Sequence, residues 1–196
     1  MQKLTPLLIC LILFLACKKE KTAPTGQDKK NEKILLTASG KEIRVYYNAA
    51  ENGLTTVKIV PVDFQNTSDT LSLSDIDPIQ NLLLHDLDNN GFDELYIITT
   101  SSGSGSYATI YGFASNKDLS LSPVYFPEIV EDDLSLGGDY QGYMGHDSIY
   151  FENRSLIRKF PVYKEGDANC CPTGGDKTLR YKLIPGEASW ILTLDK

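Results

Sequence analysis

The sequence predicts an all-β domain, either an antiparallel β-sandwich or a barrel-like sheet, with low helix content. Short runs rich in Val, Ile, Thr, Tyr and Phe recur from residue 33 onward, and Asn-Gly, Gly-Lys, Gly-Asp or Pro-containing breaks separate them. No stretch carries a long apolar repeat with the helical period. The chain also lacks an internal repeat of about 20 to 50 residues, which argues against a propeller or a solenoid.

Nine segments have the composition of strands. In order along the chain they are KEIRVYYNA, LTTVKIVPV, DTLSLS, ELYIITT, YATIYGF, LSLSPVYF, SLIRKFPVY, TLRYKLI and SWILTL. In ELYIITT and YATIYGF we expect one apolar face, as in antiparallel strands with one side buried. About nine strands in ~165 residues suit a sandwich or a closed barrel-like sheet.

Length and charge limit the domain count and the partners. The chain has 196 residues, 41% of them hydrophobic and 23% charged, which suits one soluble domain with appendages. Its formal net charge is −7 at pH 7, so nucleic acid and anionic lipid heads are repelled. A basic protein is the partner that this charge would favour.

The N-terminal segment predicts export and lipid anchoring. Residues 1–16 contain a lysine and then a short apolar run, which is typical of a secretory signal and short for a membrane span. The run ends at Cys17 after a small residue, and this junction resembles the lipobox of bacterial lipoproteins, whose cysteine receives the lipid. We therefore expect an envelope protein, lipid-anchored in the outer membrane and facing the periplasm or the surface. The alternative is an ordinary signal peptide in which Cys17 is incidental.

The organisation that follows is a tether and one folded domain. Residues 17–32 are almost devoid of apolar side chains after the cysteine, which predicts a flexible tether. A single β-domain is expected over 33–196. Within it, Cys170 and Cys171 are sequence neighbours, and a vicinal disulfide, two free thiols and an intermolecular bridge all remain open.

The stretch DLDNNGFDEL, residues 86–95, has the spacing of a calcium loop. Alternate side-chain oxygens, a glycine for the bend and a later carboxylate can surround one ion of structural rather than signalling use. The candidate ligands are Asp86, Asp88, Asn90, the carbonyl of Phe92, and Glu94. The alternative is that Asp, Asn and Gly simply form a turn. Asp93 is either a ligand or a solvated neighbour, and His85 is not expected to bind calcium.

Residues 82–113, LLLHDLDNNGFDELYIITTSSGSGSYATIYGF, resemble the bacterial periplasmic inhibitors of invertebrate-type lysozyme. In that family a D-L-D-x-D-G-x-x-E-L loop is followed by a strand, a glycine-serine loop containing S-G-x-Y, and another strand. The S-G-x-Y loop corresponds here to Ser104, Gly105, Ser106 and Tyr107. The resemblance implies that this loop enters a lysozyme cleft, where Ser104 and Tyr107 contact the catalytic groups.

The loop's composition agrees with such a role. A small hydroxyl and a tyrosine can hydrogen-bond cleft carboxyl groups without adding a charge, while Gly103 and Gly105 permit close backbone approach. The alternative is a slack hairpin connection, in which Tyr107 is buried beside Tyr96 and Tyr111.

The sequence does not predict an enzyme. Its two histidines, His85 and His146, lie outside any nucleophile, zinc-protease or phosphate-loop motif. The carboxylates of residues 128–139 are explained by an exposed acidic turn. Two interpretations follow: an anchored lysozyme inhibitor, or a calcium-stabilised β-domain for adhesion or envelope protein interaction.

Overall fold

A computed structural model describes residues 31–50, 52–66 and 70–196 of the chain. Residues 1–30, which include Cys17, lie outside this description. The described residues form twelve strands and one four-residue helix, so the predicted all-β class is confirmed. The elements are β1 (Asn31–Leu36), β2 (Glu42–Ala49), β3 (Thr55–Val62), β4 (Leu71–Ile76), β5 (Ile79–His85), β6 (Glu94–Thr100), β7 (Ala108–Ser115), β8 (Leu121–Tyr125), α1 (Glu131–Leu134), β9 (Ser148–Glu152), β10 (Ser155–Pro161), β11 (Asp176–Pro185) and β12 (Trp190–Leu194).

The strands build two sheets of unequal size. The smaller sheet is an antiparallel meander in the order β1-β2-β3-β4. The larger has the order β5-β6-β7-β8-β12-β11-β10-β9, antiparallel except where β8 lies parallel to β12. This sheet curls so that its two end strands, β5 and β9, approach each other. The His85 ring on β5 stacks on Phe151 of β9, with 4.4 Å between ring centroids. The same ring is 2.7 Å from the carbonyl oxygen of Asn153.

The expectation of nine strands was too low, and the three missed strands are β1, β5 and β9. All three lie at the end of a sheet, where few side chains are fully buried and the alternation of apolar and polar residues is weak. β1 also begins at Asn31, two residues before the expected domain start, because backbone pairing with β2 does not require apolar side chains.

β6 is buried on both faces, so the expectation of one buried side was wrong for this strand. Its Tyr96 and Ile98 point into the barrel-like sheet, whereas Leu95 and Ile97 face the smaller sheet. Each set belongs to a separate hydrophobic core, because β6 is part of the larger sheet and its outer face packs against the smaller sheet. The strand is preceded by the loop of residues 86–93 and followed by the loop of residues 101–107.

Among the described residues, no helix has the length and apolar character needed to cross a membrane.

Candidate protein-binding loop

The loop Ser101–Tyr107 joins β6 to β7 and is closed at its base. The amide of Ser101 donates to the Tyr107 carbonyl at 2.9 Å, and the Tyr107 amide donates to Ser101 Oγ at 3.0 Å. Inside the loop the Ser106 amide donates to the Gly103 carbonyl at 3.0 Å. Residues 102–104 are exposed. These bonds form a compact, projecting turn.

Tyr107 stands at the C-terminal side of this loop with 44% of its surface exposed. Its ring meets the Tyr143 ring edge-on, with 5.6 Å between centroids. Tyr96 is fully buried in the barrel-like core. The alternative expectation, burial of Tyr107 beside Tyr96 and Tyr111, was therefore wrong. A half-exposed tyrosine held by one aromatic neighbour has the form of an interface anchor.

The segment that contains Gly145 and His146 contacts the loop at Gly105. The amide of His146 donates to the Gly105 carbonyl at 2.7 Å. A Cβ on Gly145 would lie 2.0 Å from that same oxygen, and Gly145 has a φ of +88°. A Cβ on Gly105 would lie 2.3 Å from Tyr107 Cε2. Gly145 is needed for the close backbone approach and Gly105 leaves room for the Tyr107 ring, whereas a Cβ on Gly103 would meet nothing within 4 Å.

The long connection between β10 and β11 supports the tip of the loop. Asn169 Nδ2 donates to the carbonyl of Ser104 at 3.1 Å, and Tyr163 fixes the Asn169 carbonyl through its hydroxyl at 2.8 Å. Asp167 accepts bonds from the amides of Lys164 and Thr173, and these bonds lower the pKa of its carboxyl group. The connection is thus ordered by its own hydrogen bonds.

Cys170 and Cys171 form a disulfide next to Asn169 in this connection. Of the three arrangements left open by the sequence, the vicinal disulfide is the one present. Both cysteines are exposed, so the bond lies on the protein surface beside the loop support.

A buried ion pair holds the residue that follows the loop. Asp147 Oδ2 accepts the Ala108 amide at 2.8 Å, and Arg158 Nη2 donates to the Ala108 carbonyl at 2.6 Å. Arg158 Nε and Asp147 Oδ1 are 3.1 Å apart, and their side chains are 3% and 0% exposed. Both backbone groups of Ala108 are therefore bonded to this pair.

Two tyrosines complete the network around Arg158. Tyr140 accepts a bond from Nη1 at 3.2 Å, and the Tyr143 hydroxyl donates to Asp147 at 2.7 Å. The guanidinium also lies 5.5 and 5.3 Å from the two ring centroids, within cation–π range. Burial raises the pKa of Tyr143 well above its usual value, which keeps the hydroxyl protonated as a donor. Tyr143 thus links the ion pair directly to Tyr107.

Sequence reasoning missed Asp147 and Arg158. The segment SLIRKFPVY does indicate the position of Arg158. Side chains alternate along a strand, so Arg158 shares a face with Leu156 and Phe160, which both point into the core. A lone arginine at an inward position of a strand indicates a buried ion pair.

An apolar groove of about 700 Å³ opens beside Tyr107. It lies where the first half of β7 separates from the segment that follows β8. Its lining includes Ile110, Val124, Phe126, Ile129 and Tyr143, with Arg158 at one side.

The calcium-like loop lies at the opposite end of β6. Its Asp86, Asp88 and Glu94 each place a carboxylate oxygen within 4.8 Å of the others. Asn90 Oδ1 accepts the Phe92 amide at 2.8 Å, while Nδ2 donates to Asp88. Gly91 has a φ of +90°, as a sharp bend requires. The structure thus brings together three of the five candidate ligands and uses the Asn90 side chain within the loop.

Glu94 is the buried member of this group. Its Oε2 accepts the Leu87 amide at 2.8 Å, whereas its Oε1 has no hydrogen-bond partner among the described residues. Burial raises the pKa of Glu94 to about 8, and the charges of Asp88 and Asp86 add to the effect. The Asp93 side chain does not join this carboxylate group and instead accepts a hydrogen bond from the amide of Ala38 in the β1–β2 turn.

No family model, curated protein or solved structure matches this chain. The resemblance to lysozyme inhibitors therefore depends on residues 82–113 alone.

Proposed function

We propose that this chain is a protein-binding domain that inserts the Ser101–Tyr107 loop into the cleft of a lysozyme and inhibits it. The observation that carries the proposal is the loop's combination of exposure and restraint. Residues 102–104 are exposed and Tyr107 is half-exposed, yet hydrogen bonds hold Ser104, Gly105 and Ala108 from three other segments. A loop that is ordered before binding loses little entropy when it binds.

The chemistry of the loop suits the groups in such a cleft. Lysozymes use a pair of carboxyl groups, one of them protonated. The hydroxyls of Ser104 and Tyr107 can donate to or accept from these groups without bringing a charge into the cleft. The net charge of −7 favours association with a basic enzyme. The choice of an invertebrate-type lysozyme follows from the resemblance of residues 82–113.

In this proposal the chain acts by binding and performs no chemical step. A lipid on Cys17 would hold it in the bacterial envelope, with residues 17–32 as a tether. In this position the chain would bind the lysozyme before the enzyme reaches the cell wall. The second interpretation, a calcium-stabilised domain for adhesion or envelope protein interaction, shares the anchor and differs in the partner.

Inhibition assays test the proposal directly. The full-length chain in mild detergent is assayed against invertebrate-, chicken- and goose-type lysozymes, beside Tyr107→Ala. The matched control is Tyr150→Ala, because Tyr150 is 42% exposed but lies on the edge strand β9. We expect inhibition of the invertebrate type that Tyr107→Ala weakens by at least about tenfold, the effect of removing an interface anchor. Absence of inhibition of every type by folded protein would contradict the proposal.

A further inference from the structure

We propose that Asp86, Asp88 and Glu94 bind a divalent cation of the calcium class, and that this cation ties the two sheets together at the end of β6 away from the protein-binding loop. The three carboxylates converge within 4.8 Å. None of the ion pairs in the described part of the chain includes them. Three like charges this close repel one another unless a cation or protons neutralise them.

The position of Glu94 is independent support for a ligand. Its side chain is 0% exposed, and its Oε1 atom, unlike Oε2, makes no hydrogen bond of good geometry in the described structure; the Tyr96 hydroxyl, which is also buried and unpaired there, lies beside the same carboxyl group. Buried polar atoms are nearly always paired, since an unpaired one costs free energy on folding. A cation held against Asp86 and Asp88 would supply the missing partner.

The donor set selects the class of cation. Carboxylate oxygens suit hard cations such as calcium and magnesium, whereas zinc and copper prefer nitrogen and sulfur. His85 is the nearest histidine in sequence, and its ring faces Phe151 on β9 and Asn153 in the turn after that strand. Three carboxylates leave coordination positions for backbone carbonyls and water, which calcium's flexible geometry accommodates better than the strict octahedron of magnesium.

The same loop connects the two sheets. Asp93, between the ligands and beside Glu94, accepts the amide of Ala38 in the turn between β1 and β2. Asp86 holds the amides of Asn90 and Gly91 at 2.9 and 2.8 Å. A cation that fixes Asp86 and Glu94 therefore also fixes Asp93, and through it the smaller sheet.

Calcium titration of the full-length, chelator-treated chain by calorimetry tests the site, with magnesium as the comparison. We expect one calcium ion per chain. Glu94→Gln and Asp86→Asn should each weaken binding by at least about tenfold, the loss that even an outer partner of a metal ligand produces. The matched control is Asp93→Asn on the same loop, which should lose far less calcium affinity than either ligand variant, because Asp93 acts only through its bond to Ala38.

Hydrogen exchange tests the connection between the sheets. Calcium should slow exchange at the amides of Ala38 and Leu87 in the wild-type chain, and Asp93→Asn should lose the effect at Ala38 alone. Absence of calcium binding by the wild-type chain would overturn the site, as would unchanged affinity in folded Glu94→Gln and Asp86→Asn. Calcium binding without a change at Ala38 would overturn the link between the sheets. None of these outcomes depends on lysozyme inhibition.

Discussion

Arg158 donates a hydrogen bond to the carbonyl oxygen of Ala108 at 2.6 Å, so a buried side chain of β10 holds the first residue of β7. Ala108 directly follows Tyr107, and Asp147 holds its amide from the other side. A buried ion pair is normally weak evidence for stability, because desolvation offsets its attraction. Here the ion pair matters for geometry, since it fixes the backbone at the point where the Ser101–Tyr107 loop ends.

Replacing Asp147 with Asn should destabilise the chain strongly. The change leaves Arg158 charged and 2% exposed without a counter-ion, and breaking such a pair typically costs about 3–5 kcal/mol. Denaturant unfolding at neutral pH measures the loss. Asp176→Asn is the control, because its ion pair with Lys159 is half-exposed and its loss should change the midpoint very little. Equal stability of the two variants would contradict the role given to Asp147.

Gly145→Ala should displace the Ser101–Tyr107 loop. The new Cβ would lie 2.0 Å from the Gly105 carbonyl oxygen, so the bond from His146 to that oxygen must break or move. Gly137→Ala is a close control, since Gly137 has a φ of +86° and no atom within 4 Å of an added Cβ. The control should lose about 1–2 kcal/mol from backbone strain, and Gly145→Ala should lose more.

Lysozyme inhibition should also distinguish these two glycine variants. We expect Gly145→Ala to lose lysozyme inhibition together with hydrogen-exchange protection of the His146 amide, and Gly137→Ala to keep both. A folded Gly145→Ala variant with normal protection at His146 would show that the loop does not depend on this contact.

The β class was predictable because alternation and turn residues are local signals. The missed strands β1, β5 and β9 lie at sheet ends, where that alternation fades. Both faces of β6 are buried because the smaller sheet packs on one of them, and the local sequence of β6 does not indicate that contact. The Ser101–Tyr107 loop was chosen as a candidate site from its residues, but the side chains that support it were not predicted. Ala108 and Arg158 are 50 positions apart, and the Asn169 bond to Ser104 spans 65, so spacing could not connect them.

Reducing the Cys170–Cys171 disulfide should leave the fold intact. Adjacent cysteines enclose no intervening residues, so the bond removes little entropy from the unfolded chain. Both residues are exposed and lie outside the two hydrophobic cores. We expect the double variant Cys170→Ser/Cys171→Ser to unfold within about 0.5 kcal/mol of the parent, as exposed substitutions usually do. Denaturant curves with and without reductant provide the comparison.

The same substitution should act locally on the loop support. Asn169 is bonded to Ser104 and directly precedes the disulfide, so loss of the bridge should speed exchange of amides in residues 164–175. Unchanged exchange there, or a large loss of global stability, would contradict this assignment.

In the presence of a chelator, the contribution of Glu94 to the stability of the chain should fall as the pH rises from about 4.5 to about 8. Burial raises the pKa of Glu94 from an ordinary 4.5 to about 8. Between these values the folded chain keeps a proton that the unfolded chain has released, so the free energy of unfolding decreases with pH. One such proton contributes at most about 1.4 kcal/mol per pH unit. Glu94→Gln has no titrating proton at this position, so its free energy of unfolding should lack this part of the decrease with pH.

Thermal unfolding of the wild-type chain and Glu94→Gln across this pH range, both in chelator, measures the difference. The wild-type melting temperature should decline toward pH 8 relative to the variant, because the charged carboxylate is then buried beside Asp86 and Asp88. Calcium should raise the wild-type value more at pH 8 than at pH 5, because fewer chains then have to release the Glu94 proton to bind the ion. Parallel pH profiles for the two proteins would mean that Glu94 stays ionised in the folded chain throughout.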